Sequence, residues 1–259
     1  MSVHALLIPN VGWPELLARA RRLEELGVEG VWVDDHVLNP AHPEQPWLDA
    51  WSLLPALAAS TSRVRLGPLV ANGILRSPVV LARHALSVDH ISGGRLELGL
   101  GAGYAAADRA AGHAARFADV VTTVDRALRG QPVLEGFPPL APARRIPLTI
   151  AAHGPRSLAL AASYGDRWVS YGGFGLSARE HLSVTKKRIG VLEESSRPMR
   201  RMLLSGSPAV TAEPIWSSVG AVTDFVGRYR DIGIDDFVFY YPPSTGSADV
   251  FEEFVTSGE

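Results

Sequence analysis

Eight short apolar or β-branched runs recur along the chain, beginning at Val3, Glu29, Arg63, Arg95, Ile146, Arg167, Met199 and Asp235, with stretches of helical period between most of them. Leu16, Leu17, Ala20, Leu23 and Leu26 make one such stretch, and Val80, Leu81, His84, Val88 and Ile91 another. Strands that alternate with helices pair in parallel through crossover connections. Division of 259 residues among eight units leaves about 32 for each, close to the need of a βαβ unit, and eight is the number at which a (β/α)8 barrel closes. A doubly wound open sheet is the alternative; the count of eight favours the barrel. No Pro/Ser-rich linker or shift of composition divides the chain, so residues 1–259 read as a single α/β domain.

The punctuation agrees. Ser77-Pro78 is an N-cap followed by Pro at the first helical position, Ser177 to Glu180 has the spacing of a capping box, and Gly27 and Gly233 end helices just before strands. The irregular interval from Gly103 to Ile146 holds a loop, a helix over about 116–129 and a Pro-rich passage expected to wrap the surface. Asp89 and Arg95 are expected to pair across the Ser92-Gly93-Gly94 turn.

Composition narrows the chemistry. With 25 Lys plus Arg against 27 Asp plus Glu and no basic block, the chain carries no electrostatic footprint for nucleic acid or an anionic membrane, which leaves small molecules as the expected partners. The absence of cysteine removes disulfides, thiolate nucleophiles and Cys-based metal sites, so redox chemistry must come from a cofactor. His36, His42, His84, His90 and His113 show no metal-ligand spacing. MSVHALLIPN lacks a basic n-region and an h-region, and no window of 18 apolar residues occurs, so a cytoplasmic location is expected.

In a parallel barrel the chemistry lies at the C-terminal ends of the strands. Those ends read Pro9-Asn10, Asp34-Asp35-His36, Ala71-Asn72-Gly73, Gly101-Ala102-Gly103-Tyr104, Ala152-His153-Gly154-Pro155-Arg156, Ser170-Tyr171-Gly172-Gly173 and Tyr240-Tyr241. A rim of glycines and aromatics suits a flat ring that backbone approaches closely. Asp35-His36 is a candidate proton-handling pair, with loop capping as the alternative reading. The Ala152 to Arg156 turn opens a helix and could hold a phosphate on free N–H groups, with Arg156 adding charge; the alternative is an ordinary turn with Pro at the first helical position. Gly99 to Gly103 does not fit G-x-G-x-x-G.

Several segments resemble the bacterial-luciferase-like oxidoreductases: VRLGPLV followed by SPVVLARHALSVDHISGGRLELGLGAGY, the turn IAAHGPRSLALAASYGDRW, the second-strand segment GVEGVWVDDHV and the closing GAVTDFVGRYRDIGIDDFVFYY. The resemblance implies a (β/α)8 TIM barrel, often a homodimer, that binds FMN or the 5-deazaflavin coenzyme F420 and moves a hydride to or from its ring. Asp-His after the second strand is the pattern of F420 users, so F420 is expected and FMN is the alternative. By position, Asp35 and His36 would lie beside the ring as the catalytic pair. Leu69-Val70, or Pro68-Leu69, would supply a non-prolyl cis peptide against it, next to Ala71 and Asn72. Gly101, Ala102, Gly103 and Tyr104 would line the ring, and Ala152, His153, Gly154, Pro155 and Arg156 would hold the phosphate. Tyr104 stands where the sugar-phosphate dehydrogenase members carry glutamate, which argues against their substrate, and Asp108 is out of register for that role. The insertion that lengthens relatives is reduced, leaving a more open pocket or one closed by a partner subunit. The expected activity is hydride transfer between F420 and a small organic substrate; the alternatives are an FMN-dependent monooxygenase and a non-catalytic flavin-binding relative.

Overall fold

The computed structural model describes residues 1–103, 113–195, 197–206, 213–243 and 248–258. Strands and helices alternate: β1 Ser2–Leu7, α1 Trp13–Leu26, β2 Gly30–Val33, α2 Ala50–Ser60, β3 Arg65–Pro68, β4 Ala71–Asn72, α3 Pro78–Ile91, β5 Leu98–Gly101 and α4 His113–Leu128. The series continues with β6 Leu148–Ala151, α5 Pro155–Tyr164, β7 Arg167–Ser170, α6 Ala178–Glu193, β8 Arg200–Ser205, α7 Val219–Arg230, β9 Asp236–Tyr241 and α8 Ala248–Ser257. Every strand pairing is parallel, in the order β3-β2-β1-β9-β8-β7-β6-β5-β4. The nine strands form a nearly closed barrel with the helices outside it.

Nine strands stand where eight runs were read because the third run is broken. The Leu69–Val70 peptide is cis and separates β3 from β4. The seam to β5 is bridged by Leu66 and Leu96, with the Glu97 N–H donating to the Leu66 carbonyl at 2.9 Å. Glycine permits the approach: a Cβ at Gly67 would lie 1.9 Å from the Glu97 carbonyl oxygen, and one at Gly99 would lie 2.2 Å from that of Pro68.

The caps follow the sequence reading. Ser177 Oγ accepts from the Glu180 N–H while the Glu180 carboxylate accepts from the Ser177 N–H, and Gly27 ends α1 at φ 82°. The expected Asp89–Arg95 pair does not form. Asp89 accepts from Arg144 at 2.6 Å, while Arg95 lies over the end of α2 and donates to the carbonyls of Ala58 and Thr61 at 2.7 and 3.0 Å. A helix C-terminus already attracts a guanidinium through its unsatisfied carbonyls.

Alternation along the strands builds two cores. Ala5, Leu7, Val31, Val33, Leu98, Leu100, Ile150, Phe237 and Phe239 pack with the helices, whereas Leu6, Trp32, Leu69, Val169, Met202 and Val238 form a separate cluster inside the barrel. Below that cluster, on the same strand faces, lies a buried polar layer. Arg167 bonds to Glu97 and, at 3.0 Å, to Asp236, which also accepts from Arg200 at 2.8 Å; Thr149 donates to Glu97 at 2.5 Å. Trp32 Nε1 donates to His4 Nδ1 at 3.2 Å.

Burial pushes the His4 imidazole down to about 3, and the Arg167 charge acts in the same direction. An unfolded histidine takes up its proton near pH 6.5, so the stability tied to neutral His4 is complete above that pH and is lost as pH falls toward about 3. The loss approaches about 1.4 kcal/mol per pH unit. Urea unfolding at pH 7, 6, 5 and 4 is expected to show this decline, and His4→Gln, which keeps an acceptor for Trp32, to lessen the slope; an unaltered slope in the variant would refute the assignment.

Candidate active site

A cavity of about 340 Å³ opens at the C-terminal ends of the strands. Its floor is Leu6, Leu69, Val70, Ala151, Val169 and Leu204. Asp34, Asp35, His36 and Asn72 line one side, Gly101, Ala102 and Gly103 another, and His153, Gly154, Ser157, Ser170, Tyr171, Phe174 and Tyr240 complete the wall. The Leu69–Val70 bulge presses on β5, where a Cβ at Gly101 would meet Val70 Cγ2 at 2.3 Å.

The residues after β2 divide by strand parity. Trp32 faces the barrel interior, so Asp34 does too, and its Oδ1 lies 3.3 Å from His36 Nε2. Asp35 is clamped by Arg76, which donates to its two oxygens at 2.6 and 3.1 Å, and it also accepts from the Asn72 N–H at 3.1 Å. Burial raises the Asp35 carboxyl above its usual range, with Arg76 opposing that shift. The same guanidinium reaches Asp49 at 3.0 Å, the residue that caps α2. Asp35 therefore ties the β2 loop to β4 and α2, and Asp34 is the carboxylate at the histidine. Trp47 packs on His36 with ring centroids 6.1 Å apart.

At the turn into α5, the N–H groups of His153 and Gly154 both donate to Ser157 Oγ at 3.2 Å, and that hydroxyl donates to the Gly154 carbonyl at 3.0 Å. A Cβ at Gly154 would meet no atom within 4 Å, so the approach to the helix end is open. His153 stacks edge-on against Tyr171 at 4.2 Å, and Tyr171 lies 4.7 Å from Phe174. Burial, with Arg188 second, lowers the His153 imidazole to about 3 and keeps it neutral.

The far side of this wall is braced by α6. His181 bonds to Tyr229 Oη through Nδ1 at 2.5 Å and to the Tyr171 carbonyl through Nε2 at 2.8 Å, so Nε2 carries the proton that the carbonyl accepts. Gly172, at φ 73°, passes so close that a Cβ would lie 2.0 Å from His181 Nε2. Arg188 holds the same turn and the His153 carbonyl.

Ten of the residues read from the sequence line the cavity: Asp35, His36, Leu69, Val70, Asn72, Gly101, Ala102, Gly103, His153 and Gly154. Ala71 and Ala152 have the opposite parity and are buried in the outer core, where the Ala152 carbonyl accepts from Trp168 Nε1 at 2.8 Å. Pro155 and Arg156 are exposed on the first turn of α5, outside the cavity wall. Tyr104 and Asp108 lie outside the described residues. Asp34, Ser157 and Phe174 were missed as site residues. Parity with Trp32 would have singled out Asp34, and the capping position of Ser157 was visible three residues after Gly154.

A barrel of this kind, with a bulged third strand beneath a cavity at its mouth, defines the fold class first. Residues 3–182 match the family model for luciferase-like monooxygenases, and the chain belongs to that family. An F420-dependent glucose-6-phosphate dehydrogenase of Kineococcus radiotolerans is 30% identical over 196 residues, covering 69% of this chain and 58% of that protein. The chain spans 28%, 49% and 58% of three curated relatives that it matches. An F420-dependent secondary alcohol dehydrogenase in complex with an F420–acetone adduct superposes with a TM-score of 0.78 at 18% identity, covering 98% of this chain and 99% of that one. A riboflavin lyase with modified FMN and riboflavin superposes at 0.77 and 13% identity, covering 99% and 91%.

Proposed function

We propose that the protein transfers a hydride between coenzyme F420 and a small organic alcohol or carbonyl compound. The observation that carries this reading is the placement of the Asp34–His36 pair beside an apolar floor formed in part by the Leu69–Val70 bulge. The residues fit a flat tricyclic ring with a phosphate-bearing tail: the floor is apolar, the β5 side has glycines at 101 and 103, and the N-terminus of α5 lies open beyond Gly154. F420-dependent enzymes among both the relatives and the structural neighbours support the choice of cofactor.

When bound, the deazaflavin supplies a carbon that accepts or releases a hydride. The chain supplies the rest. Leu6, Leu69 and Val169 form an apolar floor on which the ring would lie, and Gly101 makes room for the Val70 side chain that completes it. Asp34 Oδ1 orients His36 through Nε2. An alcohol that loses hydride from carbon must also lose its hydroxyl proton, and the His36–Asp34 pair receives it; in the reverse direction the pair returns it to the carbonyl oxygen.

The FMN reading, in which the site serves a flavin-dependent monooxygenase, is favoured by the FMN-bearing neighbour. Parallel fluorescence titrations with F420 and FMN separate the two. Saturable binding of F420 at micromolar or lower concentration, with none for FMN, is the expected result; preference for FMN would overturn it. A homodimer and a cytoplasmic location belong to the same proposal, and among the described residues no helix is long and apolar enough to cross a membrane.

A further inference from the structure

Guanidinium groups withdrawn from water are met by carboxylates or by the anion of a ligand. Arg76 meets Asp35 and Asp49, and Arg167 meets Glu97 and Asp236. Arg188 on α6 differs. It is half-buried and donates to three neutral oxygens: the His153 carbonyl through Nε at 3.2 Å, Ser170 Oγ through Nη1 at 3.3 Å, and the Gly172 carbonyl through Nη1. Among the described residues no carboxylate forms an ion pair with it.

Arg95 also meets only carbonyls and hydroxyls, but two of those carbonyls end α2, and the negative end of a helix stabilises a cation. Among the described residues no helix end of that sign serves Arg188. Its carbonyl partners lie in loops, and the His153–Gly154 turn leads into the N-terminus of α5, the positive end of a helix dipole. Two positive features thus converge on one turn. Their mutual repulsion is relieved when an anion sits at that turn.

We infer that Arg188 is a positioning residue for phosphate: its charge, acting from behind the His153–Gly154 turn, selects the phosphorylated form of the flavin or deazaflavin that the cavity holds. This rests on the reading of the cavity as a cofactor site, and not on the choice between F420 and FMN. Arg188 stands one layer behind the wall, and Ser170, which it bonds, lines the cavity. The lowered pKa of His153, to which the Arg188 charge contributes, is consistent with a positive potential at the turn.

The test uses two pairs of molecules that differ only in phosphate: riboflavin with FMN, and 8-hydroxy-5-deazariboflavin with its 5′-phosphate. Dissociation constants are measured by fluorescence titration for the full chain, for Arg188→Gln, which keeps donors for the carbonyls but no charge, and for Arg188→Lys, which keeps the charge. Melting followed by circular dichroism confirms that each variant is folded. The phosphate form is expected to bind the unmodified chain at least about tenfold more tightly. That advantage is expected to fall below about threefold in Arg188→Gln and to be mostly retained in Arg188→Lys. If both members of a pair weaken equally in Arg188→Gln, or neither changes, Arg188 is only a brace and the inference is overturned. A ratio that shifts with FMN while no deazaflavin binds sustains the role of Arg188 and overturns the F420 reading; binding of neither pair overturns both.

Discussion

His36→Ala is expected to lower kcat by about 10²–10⁴-fold while changing cofactor affinity by less than about threefold. The imidazole lines the cavity with Asp34 Oδ1 3.3 Å from its Nε2, whereas Asp35 is engaged by Arg76. The floor and the glycine side of the cavity are left intact by the substitution, so ring binding persists. Asp34→Asn keeps a hydrogen-bonding side chain but removes the charge that steadies the imidazole, and its loss in kcat is expected to be about tenfold. Single-turnover rates and binding titrations on both variants check the pattern. A variant with normal turnover and lost binding would reverse the assigned role.

Arg167→Met is expected to destabilise the fold by roughly 3–5 kcal/mol, because it strands Glu97 and deprives Asp236 of one partner inside the barrel. Both carboxylates are buried, and Asp236 is held by Arg200 as well. Burial pushes the Asp236 carboxyl up, but Arg200, Arg167 and His4 pull it below its usual range. A carboxyl depressed by folding stabilises the protein above its unfolded pKa, near 3.8, and that contribution is lost as pH falls through the lower, folded value. For a chain of this size the destabilisation corresponds to a drop in Tm on the order of 10 °C. Pairing Arg167→Met with Glu97→Leu removes the stranded charge and should recover a large part of the loss. Cofactor affinity, measured well below the transition, should be unaffected, since the charged layer lies under the Leu6–Trp32 cluster and the cavity above it. Equal melting curves for the single variant and the unmodified chain would contradict this account.

The barrel was legible because its signal is redundant: each of the eight runs became a strand, and the helices between them begin and end near their capping residues. The break in the third run was harder, since GPLV reads as one strand unless the glycines of β5 are seen as the surface it bulges against. Within the site, the segment was legible but the side chain was not. The resemblance points to Asp35 as the histidine's partner, whereas period-two alternation from Trp32 turns Asp34 inward and Asp35 toward Arg76. The same rule separates Ala151 and His153, which line the cavity, from Ala152, which does not. The roles of His181 and Arg188 depend on α6 packing behind a turn formed by other strands, and nothing local in HLSVTKKR marks which face meets that turn.

Trp32 sits inside the barrel, buried against Leu6, Leu69 and Val169, and those three side chains are also the cavity floor. An indole one side-chain layer beneath a conjugated ring is an excitation donor: light it absorbs is handed to an overlying chromophore before it can be emitted. Occupancy of the cavity is therefore recorded in the protein's own ultraviolet emission, in an unlabelled chain.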